Sequence, residues 1–192
     1  MRKLIAGMKM SLDGKIEGPG GFADWVDSWA EEYGLTDQID ACVLGGRMYP
    51  GYEQYWSAML ENGAEKELPM TGKVPTSAEL QWARFASRTP HYVLSNSLQS
   101  VAWPHSKILH SLDEVAALKK DPGRHIYLMG GAQVTLASLQ AGLLDELHLF
   151  VYPLLAGPGK PLFANIETRR GLNLESAQGM PDGRVKLRYT LV

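Results

Sequence analysis

Two apolar runs in this chain stop at a glycine pair. Ala41-Cys42-Val43-Leu44 runs into Gly45-Gly46, and His125-Ile126-Tyr127-Leu128-Met129 runs into Gly130-Gly131. Runs this short, bounded by turn residues, read as buried strands. A glycine pair at a strand end removes side chains where the backbone turns sharply or lets another molecule come close. The second pair leads into residues 133–141, which read as a helix stopped by Gly142. Strand, glycine turn and helix in that order are the building unit of a parallel sheet.

The rest of the chain extends that pattern. Residues 4–10 form a first predicted strand, and Asp13-Gly14 marks the turn after it. Trp25, Val26, Trp29 and Tyr33 fall at helical spacing, which predicts a helix over residues 24–34 with Asp24 as N-cap. Residues 62–76 mix charge, glycine and proline and read as a surface excursion. Residues 91–95 form another strand, and residues 101–103 and 107–109 are shorter strand candidates. Ser111-Leu112-Asp113-Glu114 fits an N-cap with an acidic first turn, so a helix runs through Lys120. Residues 146–152 are a strand closed by Pro153. Residues 172–178 and 185–191 form a terminal antiparallel pair joined through Pro181-Asp182-Gly183. The sum is one α/β domain over residues 1–192. Its central sheet is mixed but mainly parallel, with helices on both faces and an antiparallel C-terminal edge.

Composition excludes several classes. A formal net charge of −2 gives no electrostatic reason to expect nucleic acid or an anionic membrane as partner. The single cysteine, Cys42, can form neither an internal disulfide nor a cysteine-based zinc site. It reads as a small buried hydrophobe. The five histidines show no metal-site spacing, so no metal is expected. No apolar window reaches the length of a membrane span, and the short apolar stretch after Arg2-Lys3 is no signal peptide. The expected compartment is the cytoplasm.

Several residues carry chemistry. The N–H groups after Gly130-Gly131, at a helix start, suit an anionic phosphate. The pattern is not G-x-G-x-x-G, and a plain tight turn is the alternative reading. Arg47 directly after Gly45-Gly46 can fork onto a phosphate, or it is a solvated surface side chain. Ser95 and Asn96 end a third strand and either bind phosphate or ribose or simply make a turn. Together, three such strand ends point small or polar groups at one crevice, where open α/β sheets bind ligands. Asp13 either orients substrate or satisfies its own turn. Asp24 either caps its helix or faces the pocket. His148, inside a strand, reads as structural.

These residues carry a family resemblance. Residues 10–16 (Met-Ser-Leu-Asp-Gly-Lys-Ile), Gly45-Gly46-Arg47-Met48-Tyr49 and Leu128-Met129-Gly130-Gly131 are three of its parts. The fourth and most specific is Leu143-Leu144-Asp145-Glu146-Leu147 running into residues 153–163. The chain resembles, over nearly its whole length, the C-terminal reductase domain of the bacterial bifunctional riboflavin-biosynthesis deaminase-reductase. Dihydrofolate reductase belongs to the same superfamily. The resemblance implies a dihydrofolate-reductase-like fold in three layers, with NADPH across the strand ends. It implies that Gly46, Arg47, Met48 and Tyr49 hold cofactor phosphate. Ser95 and Asn96 would lie near the adenosine 2′-phosphate. Gly130, Gly131, Ala132, Gln133 and Val134 would turn beneath the pyrophosphate. Ala6 and Ile16 would neighbour the nicotinamide, and Asp13 and Glu146 would line the substrate side as catalytic candidates.

The sequence also departs from that family. The zinc deaminase half needs His-x-Glu and Pro-Cys-x-x-Cys, and this chain has neither. The acid that a dihydrofolate reductase presents to its pterin has only Asp24 and Asp27 as candidates, and its glutamate-gripping arginine only Arg84 and Arg88. The leading expectation is therefore an NADPH-dependent reductase of a small heterocyclic or polar substrate. Its rivals are the pyrimidine reductase of riboflavin synthesis, dihydrofolate reductase, and a binding protein without turnover. A homodimer is expected, through residues 147–152 and the loop at 153–161.

Overall fold

The structure is a computed structural model that describes residues 1–63, 65–67, 72–164 and 166–192. Ten strands and four α-helices are formed among these residues. The strands are β1 (Leu4–Ser11), β2 (Lys15–Glu17), β3 (Ile39–Gly45), β4 (His91–Leu94), β5 (Lys107–Leu109), β6 (His125–Gly130), β7 (Glu146–Tyr152), β8 (Lys160–Pro161), β9 (Leu172–Gly179) and β10 (Val185–Leu191). The helices are α1 (Tyr49–Asn62), α2 (Ser77–Ala86), α3 (Leu112–Leu118) and α4 (Ala132–Gln140).

Eight strands form one sheet in the order β5-β4-β3-β6-β1-β7-β10-β9. The pairs from β5 through β7 are parallel, and β10 and β9 add antiparallel. The parallel strands must all end on one edge, so their carboxyl ends share one crevice. β2 and β8 pair separately beside it. Alternation along the strands splits the core between two faces. Ile5, Cys42, Leu44, Tyr127 and Phe150 pack with Trp56, Met59, Leu80 and Ala83 from α1 and α2. Leu4, Ala41, Val43, Leu128 and Leu149 pack with Val115 and Leu139 from α3 and α4. The three-layer α/β architecture is the one expected.

Two predicted features differ. Residues 24–34 are not helical. Ala23, Val26, Ala30 and Tyr33 are buried as a helical stripe would bury them. The backbone is tied elsewhere. The buried Lys9 Nζ donates to the carbonyls of Ser28 and Ala30 and to the Glu32 carboxylate. Glu31 Oε2 accepts from the N–H groups of Leu35 and Thr36, at 3.0 Å each, which a helix would pair with carbonyls four residues back. Tertiary partners have taken the hydrogen bonds that a helix needs.

The second difference is β7. It was expected to present an apolar face to a second copy of the chain. It lies inside the sheet between β1 and β10, and all its residues are buried. Its apolar character comes from two covered faces. The loop after it does expose Leu155.

Helices α1 and α2 had not been expected. Pro50 sits at the first turn of α1, where a missing N–H costs nothing. Thr76 and Glu79 form a reciprocal capping box at the start of α2. The predicted surface excursion at residues 62–76 ends at that cap, and residues 64 and 68–71 within it lie outside the described residues.

Candidate functional site

Three neighbouring strands end level with one another. Leu44 of β3 is in register with Gly130 of β6, and Gly45 with Leu94 of β4. At this line the chain leaves the sheet through Gly46-Arg47, Ser95-Asn96 and Gly131. The expected cofactor residues are thus brought to one edge.

Close approach explains the glycines. A Cβ on Gly46 would lie 2.4 Å from Ser95 Oγ and 2.5 Å from Ser95 Cβ. A Cβ on Gly45 would lie 3.0 Å from Val134 Cγ2 of α4. Gly130 has φ of 113°, in the region that glycine alone enters readily, and a Cβ there would meet Met8 Sδ at 3.2 Å. The Gly130–Gly131 peptide bond is cis. Around Gly131 a Cβ would meet nothing within 4 Å. The turn into α4 therefore faces open space.

Both helices that leave these turns start without a side-chain cap. Gly131 is the N-cap of α4 and Met48 that of α1. The first-turn amides of α4, on Ala132, Gln133 and Val134, are donors with no partner inside the helix. Arg47 and Asn96 are exposed at the same edge. Glycine turns, uncapped helix starts and one arginine thus share one edge, and these are groups of the kind that can hold a phosphate. Ser95 also makes its turn: its Oγ accepts from the N–H groups of Ser97 and Leu98, at 3.2 and 3.0 Å. Tyr49 has a different task. It is buried, and its hydroxyl accepts from Trp103 N at 3.2 Å.

The expected nicotinamide neighbours sit deeper. Ala6 is fully buried and in register with Leu128, two residues below Gly130. That is about 7 Å of strand. Met8 is the β1 side chain that reaches Gly130. Ile16 is buried in the same apolar cluster as Met8. Met8 had no sequence signal beyond its place in an apolar run.

The two acid candidates separate. Glu146 is the first residue of β7, paired with Ile5, while Tyr152 at the far end pairs with Ser11. Six residues of strand put Glu146 about 20 Å from the ends that face the crevice. It is 3% exposed, and its carboxylate accepts from Lys3 Nζ at 2.7 Å, His148 Nε2 at 2.9 Å and Arg188 Nε at 3.0 Å. Burial would raise its pKa, but these three hydrogen bonds outweigh burial and hold it at about 2. Burial lowers the pKa of His148, against the pull of Glu146, so its ring is neutral and donates through Nε2. Glu146 is thus corrected from a substrate-side acid to a buried ion-pair centre.

Asp13 does lie at the crevice end of β1. Ser11 Oγ donates to Oδ1 at 2.5 Å, and the N–H groups of Ala156 and Gly157 donate to the two carboxylate oxygens at 2.9 Å each. The Ser11 bond, then the amide of Ala156, lowers its pKa to about 2. Asp13 is ionised at neutral pH and holds the loop after β7, so it is no proton donor. Asp13→Ala should free that loop. Amide exchange at Ala156 and Gly157 should quicken at least about tenfold, while Thr135 inside α4 keeps its protection. Unchanged exchange at 156 and 157 would count against the tether.

The loop that Asp13 holds walls a cavity of about 320 Å³ lined by Gly18, Pro19, Asp24, Trp25, Leu154 and Ala156. Asp24, which caps no helix here, supplies the carboxylate of that lining. Trp25 supplies an aromatic face. The cavity sits beside the ends of β1 and β7, on the same sheet edge as the turn at Gly131.

The family of RibD C-terminal domains matches residues 2–185. The chain belongs to that family. Among curated relatives, the uncharacterized protein YyaP of Bacillus subtilis (strain 168) is 31% identical over 192 residues, covering 98% of this chain and 94% of YyaP. Among solved structures, a putative riboflavin biosynthesis protein from Shewanella sp. PV-4 superposes with a TM-score of 0.70 at 20% identity, covering 99% of both chains. Dihydrofolate reductase from Enterococcus faecalis, solved in complex with NADP(H), gives a TM-score of 0.61 at 14% identity over 98% of this chain and 96% of that one. The RibD C-terminal domain and dihydrofolate reductase thus share one fold with this protein. Among the described residues no helix is long and apolar enough to cross a membrane.

Proposed function

We propose that this RibD C-terminal domain is an NADPH-dependent reductase of a small heterocyclic or polar substrate. The observation that carries the reading is the line of strand ends at Gly46, Ser95 and Gly130. There two uncapped helix starts and Arg47 share one edge, and the turn at Gly131 opens onto free space. The residues present fit a dinucleotide. The first-turn amides of α4 suit its pyrophosphate, and Arg47 with Asn96 suits the extra phosphate.

Bound NADPH would supply the hydride. The chain's own part is to bind, orient and exclude water. Gly131, where a Cβ would meet nothing within 4 Å, leaves the backbone open to the cofactor. The cavity under the Asp13-held loop accepts the substrate ring against Trp25. Asp24 accepts hydrogen bonds from ring or exocyclic N–H groups there. Asp13 and Glu146 take no part in proton transfer, because both are held ionised by their partners. The proton comes from water or through Asp24.

Calorimetric titration with NADPH, NADH and NADP⁺ tests the cofactor half. Micromolar or tighter NADPH binding with a clear preference over NADH is expected. No binding of any of the three would leave the fold intact and overturn the reductase reading. With binding in hand, NADPH oxidation is followed with dihydrofolate and with the phosphoribosylamino-pyrimidine of riboflavin synthesis. Turnover of either names the substrate, and turnover of no acceptor identifies a binding protein.

A further inference from the structure

The cavity beside the ends of β1 and β7 is acidic. Among the described residues that line it, Asp24 alone carries a charge, beside the ring of Trp25 and the apolar Pro19, Leu154 and Ala156. Asp13, also ionised, stands behind Ala156, whose N–H it accepts at 2.9 Å. Cations of the adjoining segments are already engaged. Lys160 pairs with Glu17 at 3.0 Å, Arg184 with Asp182 at 2.7 Å, and Lys9 with Glu32. Lys15 starts β2, at the end remote from Gly18. A phosphate entering the cavity would meet carboxylates of its own sign, and the apolar walls strengthen that repulsion.

The rim is apolar. Leu12, Phe22 and Leu155 are 65%, 64% and 73% exposed. Scattered singly, such side chains need no explanation, but these three are tied to the lining itself. Leu12 N donates to Leu154 O at 2.9 Å, and Leu155 lies between Leu154 and Ala156. Phe22 O accepts from Gly18 N at 2.9 Å, and Gly21 N donates to Gly18 O at 3.1 Å, which closes the turn that carries Phe22. Both walls of one opening thus hold large apolar side chains in water. A cavity of about 320 Å³ takes a heterocycle of one or two rings, and a group carried by that ring projects onto the rim.

We infer that the substrate of this site is a heterocycle without a phosphate, which gives N–H donors to Asp24 and lays an apolar substituent over Leu12, Phe22 and Leu155. This rests on the reductase reading above and names the substrate class of the same cavity. It sets this chain apart from a reductase of a phosphoribosylated pyrimidine, whose phosphate needs a cation where this cavity offers a carboxylate. Covering the rim adds apolar burial to a ring already held by Asp24 and Trp25.

The test is calorimetric titration of the full chain, saturated with NADP⁺, with three 5,6-diaminouracils. They differ only in the group on the 6-amino nitrogen: methyl, benzyl or 5-phosphoribosyl. The benzyl compound should bind about tenfold more tightly than the methyl one. The phosphoribosyl compound should bind at least about fivefold more weakly than the methyl one. Phe22→Ser/Leu155→Ser changes two exposed side chains, so the variant folds, and the benzyl advantage should fall to about twofold or less. Asp24→Asn should narrow the phosphoribosyl deficit. Tightest binding of the phosphoribosyl compound would overturn the inference and leave the reductase reading in place. So would a benzyl advantage that survives in the rim variant, or binding of none of the three to a protein that does bind NADPH. Failure of the wild-type protein to bind NADPH or NADH would overturn both readings together.

Discussion

Gly46→Ala should weaken NADPH at least tenfold, and a second change, Ser95→Gly, should restore part of that loss. The expectation follows from where one added methyl group lands. It would sit 2.4 Å from Ser95 Oγ and 2.5 Å from Ser95 Cβ, far inside van der Waals contact. Ser95 cannot step aside freely. Its Oγ accepts from the N–H groups of Ser97 and Leu98, and its own N–H donates to Leu109 O. Pushing it away disrupts the turn at the end of β4, where the phosphate is expected. Overpacking of this kind costs about 1–3 kcal/mol in stability, so the variant still folds. Ser95→Gly removes both offending atoms, and the next nearest, Ser95 Cα, is 3.6 Å away; it also removes the acceptor of the Ser97 and Leu98 N–H groups, so the rescue is partial. Gly51→Ala inside α1 is the control, because a Cβ there meets nothing within 4 Å. It should bind NADPH normally and gain up to about 1 kcal/mol in stability from helix propensity. Additive losses in the Gly46→Ala/Ser95→Gly pair, with no rescue, would show that the steric account is wrong.

The strand ends were legible because glycine pairs after apolar runs are local signals. So were β1, β3, β6 and β7, whose apolar runs gave their positions within a residue or two. The segment at residues 24–34 misled because its stripe of Trp25, Val26, Trp29 and Tyr33 does obey helical spacing. What overrides it is a contact across the fold, from Lys9 on β1 and Arg184 beside β10 to Glu32. No window of sequence contains that contact. The misses at α1 and α2 are of another kind. Tyr49, Tyr52, Trp56 and Met59 hold the spacing of a buried helix face, and Thr76 with Glu79 is a capping-box pattern. Both signals were present in the residues.

Glu146 shows how a family motif can be right about fold and misleading about role. Asp145-Glu146-Leu147 marks the start of β7, and in a parallel sheet the start of a strand is the edge remote from the crevice. Glu146→Gln should therefore leave NADPH binding unchanged and lower stability. The amide keeps one acceptor but loses the charge that Lys3 and Arg188 neutralise. Those two partners are nearly half exposed, so water can take them back, while Glu146 and His148 stay buried. Breaking a fully buried pair costs about 3–5 kcal/mol, and partial exposure reduces that here to about 2–3 kcal/mol. For a chain of this size that is a fall in melting temperature of about 5–10 °C. The pH dependence has the same sign. Folding lowers the carboxyl from its ordinary 4.5 to about 2, so its stabilisation is complete above about 4.5 and is lost as pH falls toward 2. His148, neutral in the fold, adds to acid lability below its ordinary value of 6.5. Wild type should thus lose stability steeply on acidification, and Glu146→Gln should lose less, so that the two curves converge near pH 2–3. A variant that melts normally but no longer oxidises NADPH would return Glu146 to the catalytic machinery and reverse the reading of this strand end.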